Sequence, residues 1–414
     1  MSAVVIVGSG VAGITAAETL RTEGFTGSVT VIGDDPAMPY RRPAVSKELL
    51  AGSVPAERTW LRPAGYWAER EIDVRTGVAA KSVDPDRRVV ELGTGETLGY
   101  DALLLATGGR ARTIGHDAGD AAFTLRSAGD VAVLRAAIER TNTVLVVGAG
   151  LIGSEVASTA RGLGAEVTVL ETAERPLHRM LPPVIGARYE KLHRDNGVAL
   201  HTSVRLDELA ADGRGGVRAV AEDGRHWSAG AVLVAVGSAP DTALAERMGL
   251  VVDDGVVVDH RFATSQPGVF AAGDVANTPN PVLGERFRAE HWNTAQAQGA
   301  AAARAMLAEL TGGVAEVWRE VPWCWTSQYG VNLQVAGWPR ADDELVVRGD
   351  VDGLDFTALT RRAGRLVGAI TIGRPKDVRA ARILIADQPT IDPAVLADPD
   401  VDLTALSVVP VTVG

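Results

Sequence analysis

Gly8, Gly10 and Gly13, and again Gly148, Gly150 and Gly153, have the spacing that lets a chain turn tightly, bring backbone against a pyrophosphate and start a helix close to its strand. The chemistry of such a turn is anion binding, with phosphate oxygens facing free N–H groups and the positive end of the helix dipole. A carboxylate follows each turn at about 20 residues, Asp34 after the first and Glu171 after the second, where it can accept hydrogen bonds from ribose hydroxyls. The repeated context argues for two dinucleotides on one chain. Glu171 favours NADH over NADPH, because a 2′-phosphate would bring negative charge against it; Arg175 and Arg179 follow and leave NADPH open. A third carboxylate, Asp274, ends the run Val269-Phe270-Ala271-Ala272-Gly273, where it could hold the ribityl hydroxyls of a flavin or cap the next helix.

The elements that must carry these residues are short apolar runs. Ala3–Val7 and Thr143–Val147 are β-branched and do not alternate, the pattern of parallel strands buried on both faces. Each feeds its glycine turn into a helix and then a second strand, Ser28–Ile32 or Glu166–Leu170. Two further buried runs, in 100–108 and 231–237, each end in glycine and read as crossings between nucleotide-binding domains. A helix is expected from near 290–293 to Leu310, its N-terminal dipole suited to an anionic flavin, although it also reads as a helix with few bulky residues.

Composition narrows the class. At 414 residues the chain exceeds what one core serves, so two or three domains are expected; 46% hydrophobic and 22% charged residues are ordinary for a globular protein. No apolar run approaches the roughly 20 residues that span a bilayer, a strand signal at Ala3 leaves no room for a signal peptide, and the cytoplasm is the expected compartment. Cys324 is the only cysteine, which excludes an intramolecular disulfide, a CxxC redox pair and an iron–sulfur cluster of the chain's own; no metal site is expected. A net charge of −11 disfavours nucleic acid and anionic membranes, yet seven basic residues lie between Arg361 and Arg382 against the single acid Asp377. That stretch is either a solvated face or a surface that steers an acidic partner. Trp318, Trp323, Trp325, Trp338 and Tyr329 cluster ahead of expected strands at Leu345–Arg348, Phe356–Thr360 and Leu366–Ile372, as the core of a small α+β domain. Trp325 and Tyr329 are the candidates for lining a flavin.

Several stretches in order, PYRRPAVSK, LLLATGG, the second glycine turn with Ser154-Glu155, VFAAGDVA, EHWNTAQAQG and PWCWTSQYG, give a closer likeness. Over nearly its whole length the chain resembles the flavin-dependent reductases that feed ferredoxins or rubredoxins of bacterial oxygenases, the group of putidaredoxin reductase, rubredoxin reductase and the dioxygenase ferredoxin reductases. The resemblance implies an α/β fold with two Rossmann-like dinucleotide-binding domains, for FAD (1–108 and 240–316) and NADH (109–239), and a C-terminal α+β domain (317–414). It implies electron transfer from NADH through FAD to a ferredoxin or rubredoxin that serves a cytochrome P450 or a ring-hydroxylating dioxygenase. By position, Gly8, Gly10, Gly13 and Asp34 would hold the adenosine side of FAD, and Arg42, Lys47, Arg126, Asp274 and Trp292 would meet the rest of it, joined by Trp325 of the aromatic cluster. Gly148, Gly150, Gly153 and Glu171 would hold NADH, and Glu155 would pair with Lys47 near the nicotinamide, making Lys47 and Glu155 the catalytic candidates. Arg41, Ala44 and Ser327 depart from the family pattern. Two other functions share this architecture: an NADH-dependent flavin enzyme acting on a small molecule, and a redox-responsive binding protein of the apoptosis-inducing-factor type.

Overall fold

The computed structural model describes residues 2–115 and 119–406, so the expected outer limits at residues 1 and 414 lie outside the described residues. Its contacts divide the chain into two compact units. One comprises Met1–Pro43, Pro55–Arg110 and Ser238–Glu320; the other comprises Ala44–Val54, Ala111–Gly237 and Val321–Gly414.

The first unit is built on a five-stranded sheet in the order Val269–Ala271, Ala102–Leu105, Ala3–Val7, Ser28–Ile32, Ile72–Arg75, parallel throughout. Val4, Val5, Ile6, Leu103, Leu104 and Phe270 are buried, which explains why these strands show no alternation. Burial of each such side chain is worth about 1.5–3 kcal/mol. The helices Val11–Thr22 and Trp292–Thr311 pack on each other so tightly that a Cβ at Gly299 would lie 2.1 Å from the Ala12 carbonyl oxygen.

The second unit repeats the plan. Its parallel sheet runs Ala199–His201, Glu166–Leu170, Thr143–Val147, Ala231–Val234, Ala122–Phe123. In both units a three-stranded antiparallel meander fills a crossover of the parallel sheet: Ala80–Asp84, Val89–Leu92 and Thr97–Gly99 between Ile72–Arg75 and Ala102–Leu105 in one, Leu206–Ala211, Val217–Ala221 and His226–Ala229 between Ala199–His201 and Ala231–Val234 in the other. The second unit also holds a five-stranded antiparallel sheet, ordered Trp323–Gln328, Val331–Gly337, Arg365–Ile372, Asp355–Arg362, Glu344–Asp350, with the helix Pro375–Asp387. One face of this sheet shares a core with the helix Pro183–Asp195: Ile185 and Tyr189 pack with Leu333, Phe356 and Ile370. The expected α/β plus α+β architecture is therefore present, and the three expected C-terminal strands lie inside observed ones.

The tryptophans correct the sequence reading. Trp318, Trp323, Trp325 and Trp338 are all half-buried, and smaller side chains fill the core. Strand alternation is the reason. Along 323–328, Trp323, Trp325 and Ser327 share the open face while Cys324, Thr326 and Gln328 point into the protein.

Candidate functional site

In a parallel sheet all strand C-termini reach one edge, and in each unit the glycine turn stands at that edge of its own sheet. Gly8 (φ +122°) and Gly148 (φ +101°) adopt the left-handed half of conformational space, and a Cβ on either would strike the carbonyl oxygen of Ala106 or Ala235 at 2.0 and 2.5 Å. A Cβ at Gly13 or Gly153 would lie 2.0 Å from the carbonyl oxygen of Gly8 or Gly148. Gly10 and Gly150 differ: nothing lies within 4 Å of a Cβ there. Each is the N-cap of its helix, with no side-chain cap and no acid in the first turn. Four N–H groups without intrahelical partners and an open cradle fit a phosphate-bearing group at both turns.

Around the first turn the structure gathers other expected residues. Gly273 brings Asp274 to the helix Val11–Thr22, where a Cβ on Gly273 would lie 2.9 Å from the Ala12 Cβ, and Gln298 accepts the Gly273 N–H at 2.9 Å. Trp292 opens its helix as expected, half-buried and behind an N-cap with no side-chain hydrogen bond. Asp34 ends its strand exposed. Its neighbour Asp35 accepts a hydrogen bond from Tyr40 Oη at 3.0 Å, and the Arg42 guanidinium sits 5.6 Å from the Tyr40 ring centre, which fixes the PYRR segment beside the strand end.

Glu171 behaves differently from Asp34. It is buried, and its carboxylate accepts the Ala149 N–H at 2.6 Å and the Ala173 N–H at 2.8 Å, so it holds the second glycine turn in place while keeping lone pairs for a ribose.

Also in the second unit, Lys47 Nζ lies 2.6 Å from Glu155 Oε2. The sequence reading named both residues but not their surroundings. Glu155 is 4% exposed, and a charge so buried needs every acceptor position served. Ser46 Oγ donates to Oε2, Thr326 Oγ1 donates to Oε1 at 2.7 Å, and Gln328 Nε2 backs Thr326 at 3.1 Å. Ser46 and Thr326 lie inside the PYRRPAVSK and PWCWTSQYG motifs, but a small hydroxyl carries no signal of its own. Burial, reinforced by the Glu155 charge, pushes the Cys324 thiol up to about 12 and keeps the Tyr189 phenol protonated.

Arg126 and Trp325 are two further expected residues of the second unit. Arg126 precedes the helix Ala128–Thr141, where the Asp130 carboxylate accepts the N–H groups of Arg126 and Ser127 in a capping box. Trp325 faces away from Thr326 and Glu155, its ring 5.9 Å from that of Trp323. Among the described residues no group of three or more His, Cys, Asp or Glu is placed to hold a metal, and no helix is long and apolar enough to cross a membrane.

Two parallel sheets, each delivering an uncapped helix to a glycine turn, define an oxidoreductase of the two-dinucleotide class. The chain belongs to the pyridine nucleotide-disulphide oxidoreductase family, whose model matches residues 2–299, and a reductase C-terminal model matches residues 323–407. It is 39% identical to the anthranilate 1,2-dioxygenase system ferredoxin–NAD(+) reductase component of Burkholderia cepacia, over 96% of this chain and 98% of that one. It is 38% identical to the rhodocoxin reductase of Rhodococcus erythropolis, over 97% and 93%. Among solved structures it is similar to a covalent putidaredoxin reductase–putidaredoxin complex, with a TM-score of 0.91, 33% identity and 98% of both chains covered.

Proposed function

We infer that this protein is an NADH-dependent, FAD-containing reductase that passes electrons to a ferredoxin-type iron–sulfur protein, or a rubredoxin, serving an oxygenase such as a cytochrome P450 or a ring-hydroxylating dioxygenase. The observation that carries this reading is the pair of open, uncapped glycine turns at Gly10 and Gly150, joined to full-length likeness to ferredoxin–NAD(+) reductases. The chemistry supplied by bound FAD is acceptance of a hydride from NADH and release of the two electrons one at a time.

The chain's own residues bind and orient. Gly8, Gly10, Gly13 and Asp34 hold the adenosine end of FAD, and Arg42, Arg126, Asp274, Trp292 and Trp325 meet its remainder. Gly148, Gly150, Gly153 and Glu171 hold NADH. Lys47 and Glu155 are the catalytic pair, with Lys47 near the flavin and Glu155 near the nicotinamide; Ser46 and Thr326 donate to Glu155 and keep it aimed at Lys47. The division of labour is FAD on 1–108 and 240–316, NADH on 109–239 and the partner's face on 317–414, with Ala44–Val54 packed in the second unit and so carrying Lys47 there.

The buried Cys324 thiol, held protonated, does not suit peroxide as the substrate under the alternative of an NADH-dependent flavin enzyme acting on a small molecule. The lone buried cysteine and NADH as donor fit the cytoplasm as the working compartment.

The test is anaerobic addition of NADH to purified protein, followed by cytochrome c with and without an added ferredoxin. Bleaching of a flavin spectrum, and cytochrome reduction that depends on the ferredoxin, are expected. Rapid turnover without a carrier would indicate a small-molecule reductase, and a colourless protein that cannot take up FAD would overturn the reading.

A further inference from the structure

Arg175 is the residue that could soften the preference for NADH, since an arginine just after the second strand is what accommodates a 2′-phosphate. The loop carrying it is pinned against the nucleotide turn: Leu177 N–H donates to the Ala149 carbonyl at 2.9 Å, and Ser203 N–H donates to the Ala173 carbonyl at 3.0 Å. Arg175 nevertheless leans onto the helix Pro183–Asp195. Its Cβ lies so close to Gly186 that a side chain there would meet it at 3.1 Å, and its Nη1 pairs with Glu190 Oε2. Glu190 is only 14% exposed, and its second oxygen takes Arg194 Nη2 at 2.9 Å. Burial alone would raise the Glu190 carboxyl, but the hydrogen bonds from Arg194 and Arg175 hold it below its ordinary value, so it stays charged across the physiological range.

We propose that Glu190 is a positioning residue for coenzyme choice: by holding Arg175 along the bare helix surface at Gly186, it keeps the guanidinium from the place where a 2′-phosphate would sit if Glu171 holds the ribose. Selectivity here is a difference of affinities, reached partly by withholding a favourable contact from the competitor. The inference rests on the NADH reading above and assigns discrimination to a residue that touches neither coenzyme.

The test is calorimetric titration of FAD-loaded protein with NAD+ and NADP+, at low and at 0.3 M salt, for wild type, Glu190→Gln, Glu190→Asp and Glu190→Gln/Arg175→Ala. Glu190→Gln is expected to tighten NADP+ about tenfold with NAD+ unchanged within about twofold, the gain shrinking at the higher salt. Because Glu171 remains, preference narrows and does not reverse. Glu190→Asp is expected to behave as wild type, and the double variant to lose the gain. Equal weakening of both coenzymes, or unchanged NADP+ affinity, would overturn the proposal by leaving Glu190 a purely structural role. Wild-type protein that binds neither coenzyme would overturn the underlying reading instead.

Discussion

A single carboxylate shows how the chain keeps a charge inside. Glu155 survives burial because Lys47, Ser46 and Thr326 serve its oxygens, and removing any one leaves a different debt. Breaking a buried pair from one side costs about 3–5 kcal/mol, whereas replacing both members with neutral groups of similar shape is often near neutral. Lys47→Met is therefore expected to lower unfolding stability by about that amount, and Lys47→Met/Glu155→Gln to recover most of it, a coupling that a double-mutant cycle in urea measures directly. The recovered double variant also isolates function: if flavin reduction by NADH in stopped flow then slows about tenfold or more, ~1.4 kcal/mol, the pair acts on the reacting groups beyond its part in the fold. Thr326→Val removes one donor and keeps the shape, with an expected cost of about 1–3 kcal/mol that Thr326→Ser restores in the same denaturation experiment.

Among elements, the strand–turn–helix unit gives the sharpest contrast, because its three glycines are needed for different reasons. Gly13→Ala and Gly153→Ala would drive a methyl into backbone at 2.0 Å, and overpacking against a carbonyl that cannot yield should cost about 3 kcal/mol or more. Gly10→Ala and Gly150→Ala meet nothing, at backbone angles any residue adopts (φ −71° and −75°), so stability should stay within about 0.5 kcal/mol. Their methyls enter the cradle instead. Thermal melts of the ligand-free protein should pass both while FAD uptake by Gly10→Ala and NAD+ affinity of Gly150→Ala fall about tenfold or more. These turns were legible in the sequence because their requirement is local: glycine at fixed offsets after an unbroken β-branched run. The ends of the strands, Asp34, Glu171 and Asp274, were legible for the same reason. Ser46 and Thr326 were not, since their meaning comes from a carboxylate more than 100 positions away in the chain for each. Nor were the two meanders, whose short, half-exposed strands are defined by pairing. The tryptophans misled because ring size was read as burial, while alternation along 323–328 turned them to the open face.

For the whole molecule, charge and acid response depend on which groups folding has already paired. Of the seven basic residues between Arg361 and Arg382, Arg361, Arg362 and Arg374 are bound to Glu344, Asp343 and Asp355, so the local excess is smaller than the sequence suggests. Acid sensitivity is instead concentrated in the shared core of the second unit. His193 is 2% exposed on the helix Pro183–Asp195, its Nδ1 2.9 Å from Tyr329 Oη, and burial, opposed by Gln328, pushes it down to about 4. In the unfolded chain it titrates near 6.5. The unfolded state therefore binds the extra proton first as pH falls, and stability present above about 6.5 is lost progressively down to about 4, amounting to about 2 kcal/mol by pH 5. His201, also lowered by burial, then by Arg225 and Arg194, acts in the same direction. Two units need not unfold together, so one global midpoint would mix them. Hydrogen exchange within Pro183–Asp195 is the appropriate readout: protection, corrected for intrinsic rates, should drop between pH 7 and 5 in wild type and much less in His193→Gln. An equal drop in both would place the acid-labile group elsewhere.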